Sequence, residues 1–469
     1  MFNLKIHNFR SFQKASFEFS RINILIGENS SGKSSLLKFL LAVKQSFGNS
    51  EISNLKLDGP LVDLGNYKEI IYKHAQNRSI QFSFSFLNGY ENFVKEWLAP
   101  EQYNKEGTPT NKEEWDIIFK NLEEAFKVST DVHFEIDKNL GQHSSIITRI
   151  ENKIIGSVII EHIKSEEKEE TKIGGEYPKC NLRITFANGQ EYFIEKVMYE
   201  KDGFLTKIFG KRLWEYCQQE LKDLEVFYKT AYLLLSQNYL ITITASANYC
   251  NPMFSEPERL FIERDKTGRY KNINLKMVVN ILSDPSLKKE ARELLLSELN
   301  QIIKYFGLAE EITFNKVEGV PVSEIRASID GISNNIMDVG YGVALQIPIL
   351  FQAFFSNLQS DKSLFMIEQP EIHLHPSLQA KLIETLIKFG PNNIYFIETH
   401  SEYIVRKLQS LVKQKAFDLG PSDVTIHYMK KGKGKSEITL HKISKDGHLI
   451  PNLPSGFTDS SYSLAKELL

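Results

Sequence analysis

A glycine-rich octapeptide near the N-terminus has the residue types and spacing of a phosphate-binding loop. Residues 27–34 read Gly-Glu-Asn-Ser-Ser-Gly-Lys-Ser, the pattern G-x-x-x-x-G-K-S, between an apolar stretch and an amphipathic one. The glycines let the backbone curl so that successive N–H groups face phosphate oxygens, and the following helix adds partial positive charge. Lys33 is expected to neutralise the β- and γ-phosphates, and the Ser34 hydroxyl is expected to hold Mg²⁺. The predicted nucleotide-binding residues are Gly27, Glu28, Asn29, Ser30, Ser31, Gly32, Lys33, Ser34 and Ser35.

Two carboxylates and an amide follow a second apolar stretch late in the chain. Residues 364–367 read Leu-Phe-Met-Ile, and Glu368, Gln369, Pro370 and Glu371 come directly after them. Ligands bind at the carboxyl ends of strands in open α/β sheets, so this stretch delivers acids to a ligand-binding edge. We therefore expect Glu368 to coordinate Mg²⁺ or to accept a hydrogen bond from its bound water. The alternative is a pair of solvated acids at a strand end.

The acidic segment resembles a known nucleotide motif. Residues 367–376, Ile-Glu-Gln-Pro-Glu-Ile-His-Leu-His-Pro, are similar to the second nucleotide motif of ABC-type ATPases in the RecF, SMC and OLD lineage. Residues 393–401 likewise resemble the next strand of that lineage, which ends in the histidine that senses the γ-phosphate. The resemblance therefore implies that role for His400, with ATP and Mg²⁺ as the bound species.

Two further segments take expected roles from the same resemblance. Residues 337–343, Met-Asp-Val-Gly-Tyr-Gly-Val, stand where that lineage has its signature loop, which in a dimer closes over the ATP of the other subunit. Residues 8–12 resemble its opening strand, whose basic residue lies near the nucleotide. For Arg10 that contact and an ordinary surface position are equally open. The implied signature residues are Asp338, Gly340, Tyr341 and Gly342.

One residue departs from the pattern of the lineage in a way that bears on catalysis. The residue after the metal-side acid is usually a glutamate that positions or deprotonates the attacking water, and here it is Gln369. A glutamine cannot take that proton, although its amide can orient a water, and Glu371 is close enough in sequence to be considered as the base. The predicted catalytic residues are Glu368, Gln369, Glu371 and His400, and we expect slow hydrolysis and a long-lived ATP-bound dimer.

Apolar and alternating stretches predict the elements that must position these residues. The strand before the phosphate-binding loop is apolar on both faces, as in a buried central strand, and a helix is predicted from Lys33. Near the C-terminus, predicted strands and helices alternate again, which is the pattern of an α/β fold. The predicted strands are 3–9, 15–19, 23–26, 364–367, 394–397 and 424–428.

The middle of the chain has a different sequence pattern, which predicts an inserted domain. Strand-like runs alternate with charged spacers, and the turn at 187–190, Ala-Asn-Gly-Gln, predicts a hairpin between strands at 182–186 and 191–194. Helices are predicted at 210–235 and 286–305, neither with heptads long enough for a coiled coil.

The predicted fold class is α/β. The resemblance implies an ABC-type ATPase head, with a mixed sheet flanked by helices. We expect this head to carry an inserted β-rich plus helical domain and no long coiled coil. The predicted domains are the N-terminal part of the head with the phosphate-binding loop at 1–75, the β-rich insertion at 76–205, a helical subdomain at 206–330, and the C-terminal part of the head at 331–469.

The composition is that of an ordinary globular protein. The 469 residues include 57 Lys and Arg against 59 Asp and Glu, so bulk charge gives no attraction to nucleic acid or an anionic membrane. Three isolated cysteines argue against a disulfide framework and a cysteine zinc site. The N-terminus lacks the pattern of a signal peptide, and we expect a cytoplasmic protein with no membrane partner.

The resemblance also bears on partners. OLD-family nucleases join such a head to a Toprim nuclease domain, and the residues after the strand at 424–428 are too few for one. Stand-alone heads resemble ATPase subunits of anti-phage systems such as PARIS and Septu, which implies a homo-oligomer with ATP-dependent interfaces and a separate effector, a Toprim or other nuclease. One alternative is a RecF-like repair ATPase that binds DNA, with the basic turn at 430–435 in its groove rather than simply solvated. Another is a nucleotide-stabilised scaffold without turnover.

Overall fold

The chain folds as two compact units, each described here by itself. Unit 1 contains Met1–Phe19, Lys38–Ala245 and Gly432–Ser436, and unit 2 contains Ser20–Leu37, Ser246–Lys431 and Glu437–Leu469. A computed structural model describes residues 2–47, 57–59, 61–75, 77–86, 120, 130–136, 146–153, 156–170, 176–186, 189, 191–198, 247–251, 258–262, 273–316, 322–359, 363–454 and 457.

The elements are numbered in chain order within the described residues. The helices are α1 (Lys33–Phe47), α2 (Tyr67–Ile70), α3 (Leu275–Ser283), α4 (Lys289–Phe306), α5 (Tyr341–Gln359), α6 (Pro376–Phe389) and α7 (Glu402–Gln414). The strands are β1 (Phe2–Phe9), β2 (Phe12–Phe19), β3 (Ile22–Gly27), β4 (Ile80–Phe86), β5 (Thr130–Ile136), β6 (Ile146–Asn152), β7 (Gly156–Glu170), β8 (Glu176–Phe186), β9 (Glu191–Met198), β10 (Asn248–Cys250), β11 (Phe261–Ile262), β12 (Glu311–Lys316), β13 (Val322–Ile329), β14 (Ile332–Asn335), β15 (Leu364–Glu368), β16 (Ile394–Glu398), β17 (Val424–Lys431), β18 (Ser436–Ile443) and β19 (Leu449–Ile450).

Unit 1 is built on an eight-stranded antiparallel sheet. Its order is β2-β1-β4-β5-β6-β7-β8-β9, and every pairing along it is antiparallel. Buried and exposed residues alternate along β1 from Phe2 to Ile6, as period-two geometry requires of a sheet with one covered face. The ring of Phe39 on α1 lies edge-on at 5.2 Å from the Phe9 ring and at 5.1 Å from the Phe82 ring. Aromatic packing of this kind holds α1 against the sheet.

The predicted strands at 3–9 and 15–19 and the predicted hairpin around Gly189 are confirmed as β1, β2 and the β8–β9 pair. Gly189 has φ 82°, the left-handed conformation that the turn requires and that glycine adopts without strain. Strands β4 to β9 continue the sheet of β1 and β2, because β4 pairs directly with β1. The interval predicted as an insertion thus shares a sheet with the N-terminal strands. Its boundaries stay a prediction, and the helix predicted at 210–235 lies outside the described residues.

Unit 2 contains a seven-stranded sheet in the order β10-β15-β16-β3-β17-β18-β19. The first five of these strands run parallel, so their carboxyl ends meet at one edge. Five of the six residues of β3 are buried, as predicted for a central strand. The strands predicted at 364–367, 394–397 and 424–428 are confirmed as β15, β16 and β17. A small antiparallel sheet of β11, β12, β13 and β14 completes this unit.

The helices of unit 2 are of ordinary length. The helix predicted at 286–305 is confirmed as α4, and the longest helix among the described residues, α5, has 19 residues, too short for a coiled-coil arm. By length and composition alone, residues Tyr341–Leu358 of α5 are apolar enough to cross a bilayer, but 67% of this window is buried inside the protein. Polar side chains on α5 are also buried and bonded, with Gln346 donating to the carbonyl oxygen of Pro370 at 2.7 Å. The helix is therefore part of the core.

A buried histidine on β17 predicts acid sensitivity. Burial, together with the nearby Lys442 and His441, lowers the pKa of His427 to about 3. At this residue the unfolded chain takes up a proton near pH 6.5, and the folded chain does not, so acid favours the unfolded chain. The contribution of His427 to stability is therefore complete above pH 6.5 and is lost as the pH falls toward 3. Going from about pH 7.5 to about pH 5.5 is expected to cost about 1.4 kcal/mol through this group.

The measurement is the free energy of unfolding in urea at the two pH values. The acid loss is expected to shrink by that amount in His427→Gln and to stay unchanged in His448→Gln, which removes a solvent-exposed histidine. An equal acid loss in the natural chain and in His427→Gln would contradict the assignment.

Candidate functional site

The phosphate-binding loop begins where β3 ends against β17. Gly27 has φ 131°, and an added Cβ atom would lie 1.9 Å from the carbonyl oxygen of Met429, so only glycine fits. The N–H of Glu28 donates to that same oxygen at 3.0 Å, and the Glu28 carboxylate accepts from the N–H of Lys431 at 2.9 Å. Both contacts fix the start of the loop to β17. Glu28, predicted to bind nucleotide, therefore has an anchoring contact in this structure.

Lys33 opens α1 and lies inside the curl of the loop. Its ammonium donates to the carbonyl oxygens of Gly27 at 3.0 Å and of Glu28 at 2.8 Å, and the side chain is buried. Burial lowers the pKa of Lys33, while the Glu398 carboxylate opposes that shift. Ser30 and Gly32 adopt left-handed conformations, with φ 59° and 107°, that produce the curl. A phosphate in the loop would take the place of the two carbonyls as the partner of the ammonium.

Glu368, the acid predicted to bind the metal, lies at the carboxyl end of β15. Glu368 pairs in register with Glu398 on β16, so the two carboxylates end neighbouring strands. The Oε2 of Glu368 accepts from the side-chain amide of Asn251 at 2.9 Å, and the Tyr249 hydroxyl also bonds to this carboxylate. Gln369 has φ 43°, and its N–H donates to the Glu398 carbonyl oxygen at 2.7 Å. The tight turn after β15 is therefore pinned to β16.

Glu398 is a second carboxylate at the phosphate-binding loop. Its Oε1 accepts from the Ser34 hydroxyl at 3.0 Å, and only 4% of the residue is exposed. Burial, helped by the nearby Glu368 and Glu371 carboxylates, raises the pKa of Glu398 to about 7. The hydrogen bond from Ser34 and the charge of Lys33 oppose this shift. The Oε2 has no hydrogen-bond partner in the part of the chain that the structure describes. This buried acceptor is a polar group that a bound cation could satisfy.

Glu371 supports the histidine that was predicted to sense the γ-phosphate. Its Oε1 accepts from the backbone N–H of His400 at 2.7 Å, and the Thr399 hydroxyl and the Ser401 N–H also bond to the carboxylate. Burial nevertheless raises the pKa of Glu371. Ser401 then caps α7, with its hydroxyl accepting from Ile404. Glu371 therefore fixes the chain between β16 and α7. Partial burial lowers the pKa of His400, and the nearby charge of Lys33 lowers it as well.

The signature-like loop has its own supports. Arg259 forms a bidentate pair with Asp338, with N–O distances of 2.9 and 2.6 Å. The loop leads into α5, where an added Cβ atom on Gly342 would lie 2.7 Å from the carbonyl oxygen of His373. The Tyr341 ring meets the His373 ring edge-on at 5.3 Å. Gly342 thus permits close packing against the turn after β15, while Gly340 faces open space.

Arg10 belongs to unit 1, whereas the phosphate-binding loop and Glu368 belong to unit 2. Its φ is 47°, its N–H donates to the carbonyl oxygen of Ile70, and its guanidinium lies 5.8 Å from the centre of the Phe9 ring. Burial lowers the pKa of Arg10, with Glu69 opposing the shift. Its predicted place near the nucleotide stays a prediction.

The residues at the loop suit Mg²⁺ held jointly with phosphate. Ser34, Glu368 and Glu398 supply a hydroxyl and carboxylate oxygens, the ligands that Mg²⁺ prefers, and the Oε2 of Glu398 is an unsatisfied acceptor among the described residues. No group of three or more His, Cys, Asp or Glu side chains within the described residues could hold a metal alone. A cation bound beside the phosphates of a nucleotide would neutralise part of their charge.

Sequence reasoning missed several residues of this site. Glu398 was visible as the acid that ends a predicted strand just before Thr399 and His400, but only the histidine was given a role. Tyr249 and Asn251 carry no motif, and their contact with Glu368 arises because β10 pairs with β15 at the edge of the sheet. Arg259 has no sequence signal that links it to the signature-like loop.

The phosphate-binding loop follows β3, and the acid Glu368 ends β15, with β16 between these two parallel strands. This is the arrangement of a P-loop ATPase. The model of the AAA ATPase domain family AAA_15 matches residues 1–405, and the chain belongs to that family. No curated protein matches the chain.

Several solved structures are similar to this chain at low sequence identity. An SMC head bound to the C-terminal winged-helix domain of ScpA has 12% identity and a TM-score of 0.39, over 93% of this chain and 97% of that one. The SMC head domain from Thermotoga maritima has 10% identity and a TM-score of 0.36, over 93% and 97%. An SMC head from Pyrococcus furiosus, bound to the C-terminal domain of ScpA, has 10% identity and a TM-score of 0.38, over 100% of both chains.

Proposed function

We propose that this chain is a slowly hydrolysing ATPase that assembles through ATP-sandwiched interfaces and controls a separate effector, a Toprim or other nuclease, in anti-phage defence. ATP with Mg²⁺ is the switch, because only the nucleotide-bound form presents the assembled surface to the effector. The observation that supports the proposal is Gln369, which follows Glu368 at the position where the related ATPases usually have a glutamate.

Slow turnover follows from what the neighbouring side chains can do. The Gln369 amide has no proton-accepting carboxylate, and it lies directly after Glu368, which Tyr249 and Asn251 hold. Glu371 is buried and accepts hydrogen bonds from the loop that carries His400. A residue committed to those bonds is poorly placed to take a proton from water. The bound ATP therefore persists, and the ATP-bound form is a long-lived state of the protein rather than a brief step in rapid turnover.

Assembly is supported by the surface around the signature-like loop. Met337 precedes its two glycines and Tyr341 lies between them, and these two side chains are 43% and 42% exposed. Large apolar side chains beside a glycine-rich helix start fit a surface that a partner covers. The N–H groups at the start of α5 suit the phosphates of a nucleotide bound by a second copy.

The effector proposal is tested by identifying the molecules that co-purify with the chain. The tagged chain is purified from its native operon with ATP and Mg²⁺, beside Lys33→Ala and the matched surface variant Lys445→Ala. A stoichiometric nuclease or other toxin-like protein is expected with the natural chain and with Lys445→Ala, and not with Lys33→Ala. Co-purification of DNA with no protein partner would contradict the effector proposal.

A DNA-binding repair ATPase of the RecF kind is the second candidate, and one observation in unit 1 favours it. Lys433 and Lys435 flank Gly434, and an added Cβ atom on Gly434 would lie 3.4 Å from the Cε of Lys73. Three lysines therefore gather at one place in a chain of nearly neutral net charge. If this candidate holds, the triple lysine-to-alanine variant weakens binding of a labelled gapped duplex and flattens its salt dependence. Equal binding by both proteins would count against it.

A further inference from the structure

The hydroxyl expected to hold Mg²⁺ has a specific partner. Ser34 donates to the Oε1 of Glu398 at 3.0 Å, and Glu398 ends β16, the strand that lies between β15 and β3. A serine hydroxyl has one proton to donate and two lone pairs to offer. Once the proton points at Glu398, both lone pairs remain for a cation. The contact thus presets the orientation in which Ser34 can act as a ligand.

The metal-side acid identified from the sequence is oriented by different groups. The Oε2 of Glu368 accepts from the amide of Asn251 at 2.9 Å, and the carboxylate also bonds to the Tyr249 hydroxyl. Both donors come from the segment at β10, on the opposite side of β15 from Glu398. Each carboxylate at this edge is therefore held by its own set of neighbours. The one joined to the phosphate-binding loop is Glu398.

Burial protects the hydrogen bond between Ser34 and Glu398 from competition by water. Glu398 is 4% exposed, so water cannot readily replace the hydroxyl as its partner. The Gln369 N–H holds the Glu398 backbone through its carbonyl oxygen at 2.7 Å, which fixes the strand end from which the side chain projects. The Oε2, unpartnered within the described residues, adds negative charge beside the hydroxyl.

We propose that Glu398 is the positioning residue for the Ser34 hydroxyl at the Mg²⁺ end of the nucleotide site, and that it acts through Ser34 rather than through Glu368. The role rests on nucleotide binding by the phosphate-binding loop and is independent of any effector. Outer partners of metal ligands typically contribute 10- to 100-fold to metal affinity, on the order of what this contact is expected to supply.

The test separates the Mg²⁺-dependent part of nucleotide affinity from the rest. The Kd of a fluorescent ATP analogue, MANT-ATP, is measured with excess MgCl₂ and with EDTA, and the ratio of the two is the Mg²⁺ enhancement. Glu398→Met and Glu398→Leu fill the buried position with an apolar side chain of similar size and remove the carboxylate that accepts from Ser34. Either is expected to lower the enhancement about tenfold while leaving the affinity in EDTA within about threefold. Glu398→Gln keeps an oxygen that accepts the same proton and is expected to retain most of the enhancement.

A double-mutant cycle tests whether the effect passes through Ser34. Ser34→Ala alone is expected to lower the enhancement, and adding Glu398→Met to it is expected to lower it no further. The exposed Glu437→Met on β18 is the matched control and leaves the enhancement unchanged. The proposal is overturned by full enhancement in Glu398→Met, or by losses that add in the double variant. Loss of MANT-ATP binding by the natural chain in EDTA and in MgCl₂ alike would instead refute nucleotide binding itself.

Discussion

The Gln369→Glu variant is expected to hydrolyse ATP about 100-fold faster than the natural chain, within the 10²- to 10⁴-fold range of a positioned general base. The side chain keeps its length and its place in the turn after β15, where residue 369 has φ 43° and is pinned to β16 through its N–H. Only the capacity to accept a proton changes. The measurement is steady-state phosphate release at saturating ATP and Mg²⁺.

Two companion variants secure the interpretation of that rate. Gln369→Asn keeps an amide and is expected to gain nothing, and Lys33→Ala in the Gln369→Glu background is expected to remove the gained activity. The explanation fails if Gln369→Glu binds ATP normally and is no faster. It also fails if the natural chain already turns over at about 10 s⁻¹, the median of enzymes in general.

The Glu371→Ala variant is expected to lose about 2–4 kcal/mol of unfolding free energy, because it leaves buried hydrogen-bond donors without an acceptor. The donors are the N–H groups of His400 and Ser401 and the hydroxyl of Thr399. Glu371→Gln keeps an oxygen for the His400 N–H and is expected to lose about 1 kcal/mol. Urea unfolding of both variants measures the difference.

Hydrolysis by Glu371→Gln then separates support of the His400 loop from general-base catalysis. A supporting role predicts less than about a tenfold fall in turnover, since the loop stays attached through the amide oxygen. A general base predicts a fall of at least about 100-fold with stability and ATP binding intact. The second outcome would return Glu371 to the role of base that its sequence position allowed.

The sequence was informative where local pattern decides structure. The octapeptide between an apolar strand and an amphipathic helix predicted the loop of Gly27 to Ser34, since its glycines meet a steric need visible at Gly27 against Met429. The apolar run before Glu368 predicted β15 and the direction in which it delivers its acid. Turn chemistry likewise located the β8–β9 hairpin at Gly189.

Contacts set by strand order were beyond the reach of pattern. Ser34 and Glu398 are 364 positions apart in the chain, and they meet because β16 lies beside β3 in the sheet. Asn251 reaches Glu368 across 117 positions because a three-residue strand, β10, pairs at the sheet edge. The sequence predicts an inserted domain from residue 76, and it gives no sign that β4, the first strand of that interval, pairs with β1. Hydrophobic periodicity defines elements but does not specify their neighbours.

The central claim is that ATP and Mg²⁺ hold two copies of this chain together through the phosphate-binding and signature-like loops. The direct measurement is the molar mass in solution by light scattering, with and without ATP and Mg²⁺, for the natural chain and for Lys33→Ala. The natural chain is expected to double its mass with ATP, from the 54.0 kDa of one chain if it starts as a monomer, while Lys33→Ala keeps its nucleotide-free mass. An unchanged mass in a natural chain that demonstrably binds ATP, or an equal response in Lys33→Ala, would contradict it.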